Sequence, residues 1–207
     1  MASRPAAGGG RWVTVDPDRL PRWLDGFAER HGGATTSVDA DSATVTLTGS
    51  DGEQAFVEVP FPPLTGDLSE HVLRPRTVGV LLVRLGGHAA GVFADGRLVA
   101  SKVGSRQVHG RSAAGGWSQQ RFARRREGQV SVALQAAADV AVRVLLEQPL
   151  DAVVVGGERT AVDTVLADRR LAALVPLVTG RFLDVPDPRL KVLEAAPYRS
   201  VWIRLVP

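Results

Sequence analysis

The protein has no cysteine, one methionine and one tyrosine among its 207 residues. Without cysteine, it can form no disulfide framework, no thiolate metal site and no thiol nucleophile. No apolar run approaches the ~20 residues that a membrane-spanning helix needs, and the first ten residues lack the apolar stretch of a signal peptide. These absences favour a soluble, cytoplasmic protein with no membrane partner.

Metal and nucleotide sites are also poorly supported by the sequence. Gly156-Gly157 lacks the surrounding pattern of a phosphate-binding loop. Asp95 and Asp151 have local reasons to lie in a turn and at a strand start, so the clustered carboxylates of a nuclease are not indicated. We therefore expect no metal and no other cofactor. The four histidines lack the spacing of metal ligands: His31, His71, His88 and His109.

One window of the chain carries the positive charge. Between Lys102 and Arg126 there are seven basic residues and no acidic ones, whereas the whole chain has a net charge of +3, so the remaining residues sum to −4. Such a local field predicts a phosphate-bearing partner at this site. The basic residues are Lys102, Arg106, Arg111, Arg121, Arg124, Arg125 and Arg126.

The first 70 residues predict a disordered tail over 1–10 and a small α/β module over 11–70. Asp16-Pro17 and the apolar stripe that follows predict a helix. Residues 44–47 and 55–59, joined through Ser50-Asp51-Gly52, predict a hairpin. Trp12, Trp23 and Trp202 have apolar neighbours and are expected in the core.

Residues 71–207 predict a second, larger domain. Strands over 78–83, 89–93 and 98–103 form an antiparallel meander, and apolar residues at helical spacing from Val130 to Leu145 predict a long helix. A strand at 152–155, a helix over 160–174 and strands at 182–185 and 201–206 follow. This order predicts an α/β (α+β) fold with a mixed sheet and packed helices, preceded by the helix-and-hairpin module. An RNase H-like fold begins with the same order of elements.

The loop before the long helix contains residue types that suit a reaction on an ester. Gly115 and Gly116 allow a backbone to approach a ligand closely. Gln119 or Gln120 could orient a water molecule, or leave a backbone N–H to stabilise an oxyanion. A basic surface that binds without catalysis is an equal alternative. Arginines at a helix start oppose the helix dipole, so they are not placed there for stability.

The loop resembles a known catalytic region. His109-Gly110-Arg111, Gly115-Gly116, Ser118 and Arg121-Phe122-Ala123-Arg124 are similar to the catalytic loop of eukaryotic and archaeal class-1 release factors. Residues 112–114 are inserted, and Trp117 stands where that family has its catalytic glutamine. A displaced glutamine resembles the Vms-like release factor family, peptidyl-tRNA hydrolases of ribosome-associated quality control, in its actinobacterial branch.

The resemblance implies hydrolysis of the peptide–tRNA ester in the peptidyl-transferase centre of the large ribosomal subunit, with peptidyl-tRNA and rRNA as partners. Gln119 is the first choice for the catalytic glutamine and Gln120 the second, with Gly115 and Gly116 shaping the loop. Trp117 would stack on a base or ribose, or fold back on the loop. The family's stop-codon-reading domain has no visible counterpart in residues 1–70, which implies rescue of stalled ribosomes rather than ordinary termination. We expect the protein to be a monomer. A non-catalytic rRNA- or tRNA-binding factor is the alternative. RNA contacts are implied for Arg111, Arg121, Arg124, Arg125, Arg126 and His109.

Overall fold

The computed structural model describes residues 2–6, 9–105 and 118–206; within these ranges, side chains are described except at 2–3 and 118–126. The chain divides into two compact units, Met1–Arg74 with Arg199–Pro207, and Pro75–Tyr198. None of the described helices combines the length and apolarity needed to cross a membrane.

Eleven strands and five α-helices make up the described ranges, with 3₁₀ helices at Pro17–Arg19 and Arg169–Leu177. In chain order they are β1 (Ala2–Pro5), β2 (Arg11–Val15), α1 (Leu20–Arg30), β3 (Ala34–Val38), β4 (Thr44–Gly49), β5 (Gln54–Glu58), α2 (Leu68–Leu73), β6 (Thr77–Arg84), β7 (Gly87–Ala94), β8 (Arg97–Ser105), α3 (Ser118–Leu145), β9 (Ala152–Gly157), α4 (Arg159–Leu166), β10 (Val178–Leu183), α5 (Leu190–Glu194) and β11 (Val201–Val206).

The first unit is a six-stranded antiparallel sheet in the order β1-β2-β11-β5-β4-β3. β2, β4, β5 and β11 alternate buried and less buried residues along most of their length, as expected for a sheet with one covered face, whereas β3 is exposed throughout. The covered face joins Val13, Val57 and Ile203 to Trp23 and Phe27 of α1 in one core. The hairpin predicted over 44–59 is confirmed as β4 and β5.

The first unit differs from the predicted module in three respects. Residues 2–5 form β1, which pairs with β2 where we expected a disordered tail. Trp12 and Trp202 are half-buried on the sheet face opposite the core, and only Trp23 joins the core. β11 pairs with β2 and β5, so the end of the predicted 71–207 domain completes the first sheet. The physical reason is that Val201 and Ile203 bury their side chains in the first core.

The second unit contains a five-stranded mixed sheet in the order β10-β9-β6-β7-β8. β6, β7 and β8 are the predicted antiparallel meander, while β9 runs parallel to β6 and β10 parallel to β9. This is the RNase H-like strand arrangement, and the predicted mixed α/β fold class is confirmed. The predicted helix over 160–174 is wrong in part: α4 ends at Leu166, and Asp168 caps a separate 3₁₀ helix by accepting a hydrogen bond from the backbone N–H of Arg170 at 3.0 Å.

Candidate functional site

Only part of the predicted site lies within the residues that the structure describes. His109, Arg111, Gly115, Gly116 and Trp117 lie outside the described residues, in the segment between β8 and α3. The other predicted residues lie at the start of α3, where the backbone is described. They are Gln119, Gln120, Arg121, Arg124, Arg125 and Arg126.

Both candidate glutamines belong to the first turn of α3. The helix begins at Ser118, so Gln119 and Gln120 are helical, whereas we expected them in the loop. The N–H groups of a first helical turn have no partner within the helix, and the helix dipole adds positive potential there. This end of α3 therefore presents backbone donors of the kind that bind an anion or a developing oxyanion.

Helical spacing groups the basic positions of α3. Positions 121, 124 and 125 are three and four residues apart, which places them on one side of the helix axis. Position 120 lies one turn before position 124. The structure thus brings the glutamine pair and the basic positions into two consecutive turns of a single rigid element.

The described side chains of α3 are not buried until Ala133. Residues from Glu127 to Val132 are exposed or half-buried, and Ala133 is the first residue of α3 described as buried. At 1.5 Å per residue, the backbone at Gln119 and Gln120 lies about 20 Å along the helix from Ala133.

The second half of α3 is held firmly to the sheet. Ala137, Ala138, Ala141 and Leu145 are buried in the core cluster that includes residues of β6, β7 and β9. Small alanine side chains let the helix axis approach the sheet closely, and close packing fixes the direction of the helix. Functional side chains need such a rigid support to be positioned accurately.

The strand that enters the loop is positioned by a buried histidine. His88 of β7 is 6% exposed and lies opposite Gly104 of β8, one residue before the last described residue of that strand. A Cβ atom at Gly104 would collide with the imidazole ring of His88. Packing of the ring against this glycine therefore fixes the end of β8 from which the loop departs.

A cleft of about 690 Å³ runs beside the exposed part of α3. Its apolar surface comes mainly from Val130, Leu134 and Ala138, and its polar surface includes Ser131 and Thr164. The remaining lining residues are Glu127, Gln135, Ala167 and Asp168.

An ion-pair network braces α3 at this cleft. Nη2 of Arg170 donates to Asp139 at 2.8 Å and to Asp168 at 2.7 Å. Hydrogen bonds from Arg170 lower the pKa of both carboxyl groups, and the two carboxylates raise the pKa of Arg170. Carboxylates held in the ionised form this way are weak bases, so the network is suited to holding α3 against the 3₁₀ helix.

Within the described ranges, no three histidine, aspartate or glutamate side chains come close enough to hold a metal ion. His88 is buried in β7 and His71 is buried in α2. In the first unit His71 Nδ1 receives the backbone N–H of Thr65 at 3.2 Å, and Nε2 lies 2.9 Å from the carbonyl oxygen of Pro60. Both histidines have packing or hydrogen-bonding roles.

Residues 76–206 match the family model described as acVLRF1: Actinobacteria/chloroflexi VLRF1 release factor. The chain belongs to this family. The match to the VLRF1 release factor model begins at the second residue of the second unit and ends with β11. It therefore includes β8, the whole of α3 and the segment between them.

Solved structures also resemble this VLRF1 family member. The crystal structure of the archaeal translation termination factor aRF1 has a TM-score of 0.45 and 15% sequence identity, covering 88% of this chain and 61% of that chain. The structure of Archaeoglobus fulgidus Pelota has a TM-score of 0.29 and 10% identity, covering 94% of this chain and 63% of that chain. The chain thus spans less than two thirds of either protein. No curated protein matches the sequence.

The sequence did not single out the residues that hold β8 and α3 in place beside the predicted site. His88 was grouped with the scattered histidines, and its role depends on the register that places it opposite Gly104. Arg170 bridges Asp139 and Asp168, which are 29 residues apart in sequence. The only local signal was Asp168 itself, a residue type that favours helix N-caps.

Proposed function

We propose that this chain is a peptidyl-tRNA hydrolase that releases nascent peptides from stalled ribosomes without reading a stop codon. Membership of the VLRF1 release factor family supports a role in translation release or rescue. The observation that carries the finer proposal is the position of Gln119 and Gln120 in the first turn of α3, where backbone N–H groups have no partner within the helix.

The reaction is the attack of water on the carbonyl carbon of the peptide–tRNA ester. The bond between that carbon and the 3′ oxygen of the terminal adenosine breaks, the peptide leaves with a new carboxylate, and the 3′ oxygen takes a proton. A glutamine amide cannot remove a proton near neutral pH, but it can orient the water through hydrogen bonds. Unpaired N–H groups of the first turn of α3 would stabilise the negative charge that develops on the carbonyl oxygen.

The remaining predicted residues bind RNA under this proposal. Arg121, Arg124 and Arg125 contact phosphates of rRNA or tRNA, as do Arg111, Arg126 and His109, while Trp117 stacks on a base or ribose. Gly115 and Gly116 let the backbone approach the ester. Contacts of this type are sensitive to salt and carry little sequence specificity.

The deciding experiment follows release of a labelled peptide from purified stalled ribosome–nascent-chain complexes. Gln119→Ala is expected to lower the release rate at least about a hundredfold, as loss of a group that stabilises the transition state does, with ribosome binding retained. Gln129→Ala is the matched control, because Gln129 lies farther along the same helix, and it should release peptide like the unmodified protein.

Gln120→Ala tests which glutamine acts. A larger loss of release rate in Gln120→Ala than in Gln119→Ala would assign the role of catalytic glutamine to Gln120. Full release by both single variants and by the double variant would overturn the glutamine mechanism. Ribosome binding with no release by the unmodified protein would instead favour a non-catalytic binding factor.

A further inference from the structure

The first unit has an open sheet face on which arginine and aromatic residues alternate. On β2, β4, β5 and β11 the positions facing away from the core are half-buried and alternate with residues that are mostly buried, while β3 is exposed along its whole length. Cross-strand register aligns six of these positions in one row. From β1 to β3 the row is Arg4, Trp12, Arg204, Phe56, Thr46 and Ser37.

A second row adds a further aromatic ring. Trp202 lies opposite Thr14 on one side and Glu58 on the other. The guanidinium of Arg4 lies 5.8 Å from the ring centre of Trp202, and that of Arg204 lies 5.6 Å from the ring centre of Phe56. Each arginine is thus held beside an aromatic ring, within the range of a cation–π contact.

The charge of this face is not balanced locally. Among the described residues, neither Arg4 nor Arg204 has an ion-pair partner, and Nε of Arg204 is buried without a hydrogen bond. Glu58 is the one acidic residue at the open-face positions of the described strands. Packing against rings, and no carboxylate, therefore positions these two cations.

We propose that the open face of the first sheet binds single-stranded RNA. Guanidinium groups would contact phosphates, and the rings of Trp12, Trp202 and Phe56 would stack on unpaired bases. Threonine and serine hydroxyls that continue the row can bond to sugars and base edges. The positive charge of the two arginines, which no neighbouring carboxylate in the described part of the chain balances, complements a polyanion. The residues of this surface belong to the first unit, and the proposal does not depend on ester hydrolysis.

The test uses the full chain with Arg124 and Arg125 changed to Gln, so that RNA binding at the start of α3 is weakened in every sample. Fluorescence anisotropy with a labelled 12-nucleotide single-stranded RNA of mixed sequence gives the Kd. Adding Arg4→Gln and Arg204→Gln is expected to raise the Kd at least tenfold. The slope of log affinity against log salt should fall by about 1.4, for two phosphate contacts.

The control is Arg19→Gln with Arg22→Gln, which removes two charges from exposed positions at the start of α1, on the opposite side of the sheet. It should leave the Kd within twofold. An unchanged Kd after loss of Arg4 and Arg204, or an equal rise in the control, would overturn the proposal. Binding of a duplex as tight as that of the single strand would also overturn it.

A second measurement does not depend on substitutions in the face. In a Trp117→Phe background, the indole N–H signals of Trp12, Trp202 and Trp23 are followed by NMR as RNA is added. The signals of Trp12 and Trp202 should shift, while that of Trp23, which is 9% exposed in the core, should stay fixed. Static Trp12 and Trp202 signals in the presence of bound RNA would contradict the proposal.

Discussion

At the scale of single residues, one guanidinium shared by two carboxylates links α3 to the start of the 3₁₀ helix. Arg170 binds Asp139 of α3 and Asp168, the N-cap of the 3₁₀ helix, and Gln135 adds a hydrogen bond to Asp139 at 3.3 Å. All three charged groups are partly accessible to water, so salt and solvent screen the pairs. The pairs therefore add a modest stabilisation to the apolar packing that holds α3 on the sheet.

The network predicts a defined pH dependence. Hydrogen bonds from Arg170 lower the pKa of Asp168 and Asp139 below the ordinary value of 3.8, so these groups bind protons more weakly in the folded state. Their contribution is therefore complete above about pH 4 and is lost as the pH falls further, through the folded-state pKa. Asp168→Asn should lower the midpoint of urea unfolding at pH 7, and the difference from the unmodified protein should narrow towards pH 3.

The matched control for that experiment is Asp163→Asn. Asp163 is exposed on α4 and has no ion pair among the described residues. Its replacement should change the midpoint little at either pH. A difference between Asp168→Asn and the unmodified protein that widens at acid pH would contradict the assigned pKa directions.

At the scale of elements, the two halves of the 28-residue helix α3 differ in their pattern of apolar residues. The half after Val132 buries alanine, valine and leucine against the sheet, and the sequence predicted it from its apolar spacing. The half before Ala133 has no apolar stripe to bury, so periodicity gave no reason to extend the helix back to Ser118. The glutamines were therefore expected in the loop.

Charge reversal within α3 separates binding from helix stability. Arg124→Glu removes a predicted contact with a phosphate and adds a negative charge that the phosphate repels. The variant should therefore bind ribosomes about tenfold more weakly, and its binding should depend less on salt. Arg143→Glu is the control, since Arg143 is exposed near the other end of the same helix. Sedimentation with ribosomes at two salt concentrations measures both. Equal loss of binding in the two variants would show that the effect is not local to the start of α3.

At the scale of the whole molecule, the sequence predicted the strands that have strong apolar runs. It did not predict which sheet β11 joins. β6 and β9 are buried along almost their whole length, which the sequence shows directly. β11 alternates buried and half-buried residues at its start, a pattern that fits either sheet. Its pairing with β2 and β5 is a long-range choice that no local pattern specifies.

The same alternation explains why the prediction that Trp12 and Trp202 lie in the core was wrong. Trp12 precedes Val13 and Trp202 lies between Val201 and Ile203, so burial of the aliphatic residues forces both rings onto the other face of the sheet. The residues of the candidate site were chosen from charge, glycine and glutamine, and their assignment stays a prediction. The start of α3 at Ser118 was not predicted, because no apolar stripe marks the first turns of the helix.

If the protein hydrolyses the ester of peptidyl-tRNA, an oxygen atom of water must enter the released peptide, and isotope incorporation measures this. Stalled ribosome–nascent-chain complexes are incubated with the protein in water enriched in ¹⁸O, and the products are analysed by mass spectrometry. Hydrolysis predicts a free peptide with one ¹⁸O atom in its C-terminal carboxylate, and a tRNA that keeps its terminal adenosine. A released peptide still linked to a nucleotide, or no release above that of Gln119→Ala with Gln120→Ala, would contradict it.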